Sequence, residues 1–208
     1  MNFLYCERTN LEAFGEPLNA ISNIAFILCG IILIFRKGMI LSPLPYSIIF
    51  IGISSFLFHY LPNKLFSTLD IFSILLFVII YNVILTRNIL NFSINYTVLS
   101  SFTLLILSFF TGIFLFKTII GSSGFYIGLL LYMIYIFYYV KNFQNVKYFL
   151  CAIAIFFVSI IFRSIDPYLC NSIFFGTHFI WHILNSVVIY LLSIFLLLTN
   201  RTTPEKPT

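Results

Sequence analysis

Near the end of the chain, an otherwise apolar segment opens with His178-Phe179-Ile180-Trp181-His182 and continues to about Thr199. Two imidazoles four residues apart project from one face of a helix, because the side-chain direction repeats about every 3.6 residues. Ionisable groups at membrane depth are costly, and they usually line a site or a pathway. The remaining histidine of the chain, His59, also lies at the end of an apolar segment. The pattern therefore raises the question of whether the three imidazoles meet.

The composition indicates whether this chain folds in water or in a membrane. Of its 208 residues, 61% are hydrophobic and 8% are charged, and the mean hydropathy is +1.08. These values exclude an ordinary soluble domain and are typical of a polytopic membrane protein. The net charge of +5 does not indicate a nucleic-acid partner, because the lysines and arginines stand mostly singly at the ends of apolar segments. Such residues determine membrane topology.

The apolar segments predict an all-α membrane protein, a bundle of seven transmembrane helices. Each span needs about 20 mainly apolar residues to cross the hydrocarbon core. The predicted spans lie near residues 18–35, 45–61, 67–86, 97–117, 122–140, 147–163 and 176–199. The connections are short, so consecutive helices are expected to pack antiparallel. We predict one domain over residues 1–208.

The basic residues predict the orientation of the bundle, because short cytoplasmic loops are enriched in lysine and arginine. With seven spans, the larger basic group falls on one side: Arg36, Lys37, Arg87, Lys141, Lys147, Arg201 and Lys206. The smaller group falls on the other side: Arg8, Lys64, Lys117 and Arg163. We therefore predict a cytoplasmic C-terminus and a non-cytoplasmic N-terminus. His59, Asp70, His178 and His182 all fall towards the non-cytoplasmic face.

Three imidazoles at one depth predict a catalytic zinc site. Three neutral histidines form a tetrahedral zinc set with the fourth position left to water, whose pKa the metal lowers to about 7. Asp70 is the acidic residue placed to shuttle the proton of that water. Ser55, one turn before His59, shares its helix face and can bond a developing oxyanion. The alternatives are histidines that satisfy local hydrogen bonds and a serine bonded to its own helix backbone.

Two further polar groups lie on the same face as the histidines. Glu7 and Glu16 can contribute to a calcium site, or they can belong to a solvated and capped helix start. If this face is oxidising, Cys6 and Cys170 can form a disulfide between the N-terminal segment and the last loop. Two unpaired thiols are the alternative.

Taken together, these residues resemble the pattern of the alkaline ceramidase family, part of a superfamily of seven-span membrane hydrolases. Adiponectin and progestin receptors are relatives in that superfamily. The pattern covers nearly the whole chain in order: Cys6-Glu7, Glu16-Pro17-Leu18-Asn19, Ser22-Asn23, Ser55, His59, Asp70, Asp166, Cys170, His178, Trp181 and His182. Its specificity comes from the joint spacing of these motifs. The short tail beyond the last span is typical of a compact bacterial member, whose site would face the periplasm.

The resemblance implies a zinc-dependent amidase that hydrolyses ceramide, or a related N-acyl lipid, to a long-chain base and a fatty acid. It implies zinc ligation by His59, His178 and His182, with Asp70 handling the proton of the zinc-bound water. Ser55 falls at the serine that lies close to the metal in this family.

The resemblance also implies a disulfide between Cys6 and Cys170 and a calcium site that includes Glu7 and Glu16. The sequence departs from the family's calcium pattern, because Leu4 stands where the first acidic ligand is expected and Thr9 replaces an asparagine.

Two other functions remain open from the sequence. One is a non-enzymatic receptor or lipid-binding protein of the adiponectin and progestin receptor branch, in which zinc is structural. The other is a small transporter whose histidines and Asp70 relay protons. Most of the other predicted spans have no ionisable residue, which favours the zinc-dependent amidase over the transporter.

Overall fold

The computed structural model describes residues 5–8 and 12–202. Within these residues every regular element is helical and no strand occurs. Seven helical segments are long and apolar enough to cross a membrane: Pro17–Ile34, Pro43–Tyr60, Lys64–Ile89, Ile94–Leu115, Gly121–Val140, Val146–Leu169 and His178–Thr199. The prediction of an all-α seven-span bundle is confirmed.

The spans contain eight α-helices within the described residues. They are α1 (Pro17–Ser22), α2 (Ile24–Ile34), α3 (Pro43–Tyr60), α4 (Lys64–Ile84), α5 (Ile94–Leu115), α6 (Gly124–Val140), α7 (Val146–Leu169) and α8 (His178–Thr202). A π-helical turn, Leu85–Ile89, extends α4, and a 3-10 turn, Gly121–Ser123, precedes α6.

The first span is divided into α1 and α2 at Asn23, which the hydropathy pattern does not predict. The Asn23 side chain donates to the backbone oxygen of Asn19 at 2.8 Å. Its own backbone N–H bonds to Ala20 at 3.2 Å, three residues back, instead of continuing the α-helical ladder. Side chains of this type compete with the helix backbone in this way. The break turns α1 so that it contacts both α3 and α8.

The sixth span is longer than predicted. Helix α7 continues past residue 163 to Leu169 and includes both Arg163 and Asp166. Hydropathy alone does not predict this continuation, because the added residues include two charges. In the structure, Arg163 donates to serine hydroxyls and Asp166 accepts from backbone N–H groups, so the helix tolerates both charges.

Consecutive helices from α2 to α8 pack against one another, and α8 also packs against α1 and α2. The seven spans therefore form a closed ring. A cavity of about 130 Å³ lies inside it and is lined by residues from every span. Most of its wall is apolar, with side chains such as Phe77, Leu129, Met133 and Leu192. Polar side chains of the lining include Ser55 of α3, Asp70 of α4, and His178 and His182 of α8.

Candidate metal centre

The three histidines of the chain converge beside this cavity, which His178 and His182 line. Each of His59, His178 and His182 offers a ring nitrogen, and these nitrogens lie within 4.8 Å of one another. The ring centroid of His182 is 4.8 Å from that of His59 and 4.6 Å from that of His178. The side chains are 1–3% exposed. Among the described residues, this is the group of histidine, cysteine and acidic side chains that can hold a metal ion.

The convergence depends on where two helices end and begin. His59 lies in the last turn of α3, and His178 is the first residue of α8. Asp166 of α7 fixes the start of α8, because its Oδ1 accepts from the backbone N–H groups of Thr177, at 2.5 Å, and His178, at 2.9 Å. A carboxylate at a helix N-terminus satisfies free N–H groups and complements the helix dipole. Asp166 thereby sets the register that presents His178 and His182 on one face.

Two of the three rings are held from outside the cluster. Nδ1 of His59 is hydrogen-bonded to Oε2 of Glu16, and Nδ1 of His182 lies 2.8 Å from Oγ of Ser22. Ser22 in turn donates to the backbone oxygen of Asn19 at 2.8 Å. With Nδ1 used in this way, Nε2 is the nitrogen left for a metal. Such outer hydrogen bonds fix the ring orientation and tautomer of ligating histidines.

The third ring, that of His178, is held differently. Its Nδ1 is buried and has no hydrogen-bond partner among the described residues. The ring stacks on Tyr5, with centroids 3.7 Å apart and planes 21° apart. Burial raises the pKa of Tyr5 above its ordinary value, so its phenol stays neutral at physiological pH. Tyr5 therefore packs on the face of His178 as an uncharged aromatic ring.

Glu16 is the centre of a buried polar network. Its Oε1 accepts from Nε of Arg8, and its Oε2 accepts from Nδ2 of Asn19 at 3.0 Å. Arg8 also donates from Nη2 to the backbone oxygen of His59 at 2.8 Å. Burial alone would raise the pKa of Glu16, but the hydrogen bonds from His59 and Arg8 outweigh it and hold the pKa below its ordinary value. Glu16 is therefore an ionised partner of the His59 ring.

Asp70 and Ser55 line the same cavity as His178 and His182. The side chains of Ser55 and Asp70 interact with each other, and Oδ1 of Asp70 is buried without a hydrogen-bond partner among the described residues. A buried carboxylate oxygen normally has a partner. This oxygen is therefore available to a water or a substrate group in the cavity.

The N-terminal acid Glu7 has a different environment from Glu16. Its Oε1 and Oε2 accept from the backbone N–H groups of Leu18, at 2.7 Å, and Asn19, at 2.9 Å. Burial raises the pKa of Glu7 above its ordinary value, although these two donors lower it. Glu7 thus caps α1, and both acids of the predicted calcium site have protein partners on their oxygens. Leu4 and Thr9, where the sequence departs from the calcium pattern, lie outside the described residues.

Cys6 and Cys170 form a disulfide, with their Cα atoms 4.8 Å apart. The backbone N–H of Cys6 also donates to Oδ2 of Asp166 at 3.1 Å. The segment before the first span is thereby attached to the end of α7. Within residues 5–8, Tyr5 contacts His178, Glu7 contacts α1 and Arg8 contacts Glu16. This short segment therefore packs against the histidine cluster and its hydrogen-bond partners.

Sequence reasoning missed three residues of this site. Tyr5 was not assigned a role, and Arg8 and Arg163 were counted only as topology residues, although Arg163 lines the cavity. No spacing rule predicts the stacking of a ring from the N-terminal segment on a histidine of the last helix. For Arg8, the one available signal was its position between two acids, Glu7 and Glu16, near the start of the first span.

A family model described as Ceramidase matches residues 3–208 of this chain. No curated protein matches it significantly. The match covers all seven spans and the histidine cluster, and this family implies hydrolysis of an amide in a lipid such as ceramide. The protein is therefore a multi-pass membrane protein that belongs to the Ceramidase family.

Proposed function

We propose that this protein is a zinc-dependent amidase that hydrolyses the amide bond of ceramide, or of a related N-acyl lipid, to a long-chain base and a fatty acid. The observation that carries this proposal is the convergence of three buried histidine nitrogens within 4.8 Å beside a cavity that Asp70 and Ser55 also line. Membership of the Ceramidase family supports the reaction class.

The donor set fits zinc. Three imidazoles with one position left open are a common ligand set of catalytic zinc, and carboxylate or backbone partners on the outer ring nitrogens are usual. Glu16 and Ser22 are such partners for His59 and His182. When bound, zinc acts as a Lewis acid that polarises a carbonyl and lowers the pKa of a water molecule to about 7. The structural alternative, a receptor with a non-catalytic zinc, uses the same ligands but gives Asp70 no task.

Asp70 is the general base and acid in this proposal. Its unpartnered Oδ1 accepts a proton from the attacking water and delivers it to the amide nitrogen as the carbon–nitrogen bond breaks. The amine leaves with that proton, and the acyl group leaves as a fatty acid. In the free site Ser55 orients the Asp70 carboxylate. With substrate bound, its single hydroxyl proton is donated instead to the carbonyl oxygen as negative charge develops on that atom.

The cavity supports a lipid substrate. Below the polar end its wall is formed by aliphatic and aromatic side chains of all seven spans, which suits an acyl chain that enters from the bilayer. We further propose that the N-terminus and the metal centre face the non-cytoplasmic side, as the distribution of lysine and arginine predicts. The disulfide near the metal centre supports this orientation, because disulfides persist in oxidising compartments.

The amidase proposal is tested with purified protein, N-acyl lipids and mass spectrometry of the products. Wild-type protein is expected to release a fatty acid and a long-chain base from a long-chain ceramide or a related amide. Asp70→Asn is expected to lose at least about 100-fold in rate, the usual scale for a proton-transfer group, while it keeps its metal. Thr68→Ala, at an exposed position of the same helix, is the matched control and should remain active.

A wild-type protein that contains zinc but cleaves no lipid amide would refute the amidase and support a receptor or lipid-binding role. Full turnover by the Asp70→Asn variant would refute the role of Asp70 in proton transfer. It would leave the proposed amide hydrolysis unaffected.

A further inference from the structure

Arg163 is a half-buried cation at the edge of the histidine cluster, and its Nε atom is fully buried. Among the described residues it makes no ion pair with a carboxylate, and its Nε is buried without a hydrogen-bond partner. A buried charge is costly unless it is paired. The buried, unpartnered Nε of Arg163 is therefore open to a ligand.

The contacts of Arg163 position the guanidinium without neutralising it. Nη1 donates to the hydroxyls of Ser122, at 2.9 Å, and Ser123, at 3.0 Å, and Nη2 donates to the phenol of Tyr5 at 3.3 Å. The guanidinium also lies over the rings of Tyr126, at 5.1 Å, and Trp181, at 5.6 Å. All of these partners are uncharged. They hold the fork of the guanidinium in one orientation, as a preformed anion site requires.

The nearest acid along the chain does not compensate Arg163. Asp166 follows by three residues on the same helix, but its carboxylate accepts from the backbone N–H groups of Cys6, Thr177 and His178. Asp70 lines the same cavity and interacts electrostatically with Arg163, but the two side chains are not in ion-pair contact. The guanidinium of Arg163 therefore has no carboxylate in direct contact and can receive a bound anion.

Arg163 also stands between two cavities. One is the cavity inside the helix ring, which it lines together with Asp70, His178 and His182. The other, of about 70 Å³, lies beside it at the start of the fifth span and is lined by Gly121, Ser122 and Ser123, among others. The second cavity is smaller than the first, and its lining combines the serine hydroxyls and Arg163 with apolar side chains such as Ile119 and Ile120, so it suits a compact group with a polar end. A lipid whose amide lies beside the histidines would direct its polar end towards this second cavity.

We propose that Arg163 binds an anionic headgroup of the substrate, so that the preferred substrate is an N-acyl lipid bearing a carboxylate, sulfonate or phosphate and not a neutral ceramide. This inference rests on the amidase proposal for the position of the amide. The acyl chain occupies the apolar cavity, the amide lies beside the histidines and Asp70, and the anion meets the guanidinium. Planar oxyanions accept two parallel hydrogen bonds from arginine, which gives both affinity and orientation.

The test is a binding titration that uses the intrinsic fluorescence of Trp181. It is the single tryptophan of the chain, and its ring lies 5.6 Å from the guanidinium. The probes are N-dodecanoylglycine and N-dodecanoylglycinamide, which share the chain and the scissile amide and differ in the terminal charge. Full-length purified protein carrying Asp70→Asn is used, so that neither probe is consumed during the titration.

The anionic probe is expected to bind about ten-fold more tightly than the amide, the scale of one charge-assisted hydrogen bond. Arg163→Gln should remove this preference, and Arg163→Lys should keep part of it. Equal affinities for the anionic probe and the amide probe in protein that keeps Arg163 would overturn the proposal. This comparison does not depend on the folding of any Arg163 variant. A preference that survives Arg163→Gln would assign the carboxylate to the metal instead and would also overturn it.

A third probe, dodecanoate, separates the headgroup from the fatty-acid product. If dodecanoate binds more tightly than N-dodecanoylglycine and depends equally on Arg163, the anion recognised is the product carboxylate and the headgroup proposal fails. Turnover of the two amide probes is measured separately, in protein with Asp70 intact. A preference that depends on Arg163, without turnover, would refute the amidase but retain the anion site. Turnover without that preference would support the amidase and refute the anion site.

Discussion

Glu16 lies 43 residues before His59 in the chain, and its carboxylate is hydrogen-bonded to Nδ1 of that imidazole. The same carboxylate accepts from Arg8 and Asn19. The start of the first span is thereby connected to the end of the second at the candidate metal centre. Through this contact Glu16, which is not a candidate metal ligand, controls the orientation of His59, which is one.

Glu16→Ala is predicted to weaken zinc binding by about 10- to 100-fold, the usual effect of removing a partner of a ligating histidine. Glu16→Gln keeps an acceptor for Nδ1 and should lose less. The affinities are measured by competition with a chromogenic chelator. Equal zinc affinities in the wild type and Glu16→Ala would show that the His59 ring is held without this carboxylate.

The disulfide predicts the number of reactive thiols. The chain has 4 cysteines, of which Cys29 and Cys151 are free. Denatured, unreduced protein should therefore take up two maleimide labels, and reduced protein should take up four, as counted by mass spectrometry. Peptide mapping should find the unreduced link between Cys6 and Cys170. Four labels without reductant would mean that the N-terminal segment is not attached to α7 by a covalent bond.

Loss of that disulfide is predicted to affect the site more than the bundle. In the Cys6→Ser, Cys170→Ser double variant, the segment that carries Tyr5 and Arg8 loses its covalent attachment. The seven spans should still insert, but zinc affinity should fall, because Tyr5 covers His178 and Arg8 holds Glu16. Cys29→Ser serves as the control, because Cys29 is not part of the disulfide. Unchanged zinc affinity in the double variant would contradict this role of the segment.

Two glycines at the contact between α5 and α6 give opposite predictions. A Cβ at Gly128 would overlap the backbone of Ser108, whereas a Cβ at Gly112 would meet Phe125 at an ordinary 3.6 Å. Gly128→Ala should destabilise the protein by about 1–3 kcal/mol, as overpacking does. Gly112→Ala should be neutral or slightly stabilising, because alanine favours a helix. Thermal unfolding in detergent measures both, and equal shifts would contradict the packing described here.

The sequence could predict the bundle because its determinants are local. Each span is a run of apolar residues, and seven spans place His59 and His178 on one face. The spacing of the histidines on α8 follows from helix periodicity alone. The approach of the His59 ring to His178 and His182 does not follow from any local pattern, and neither does the position of Tyr5. These contacts depend on the closure of the ring and on the cap that Asp166 provides to α8 from another helix.

Two features of the spans could not be predicted from hydropathy, which records the cost of a polar group but not its partners. They are the continuation of α7 past Arg163 and the break within the first span at Asn23. Inside the bundle, Arg163 has hydroxyl and aromatic partners, and Asn23 bonds back to Asn19. Both features lie at the site, where local sequence rules are most often overridden.

The central claim is that His59, His178 and His182 bind one metal ion, and metal analysis of the purified protein tests it most directly. Inductively coupled plasma mass spectrometry should find about one zinc ion per wild-type chain, as this ligand set favours. His182→Ala should lose the metal, while Ser193→Ala, at a buried position further along the same helix, should retain it. Metal-free wild-type protein, or zinc that remains in folded His182→Ala, would contradict the account.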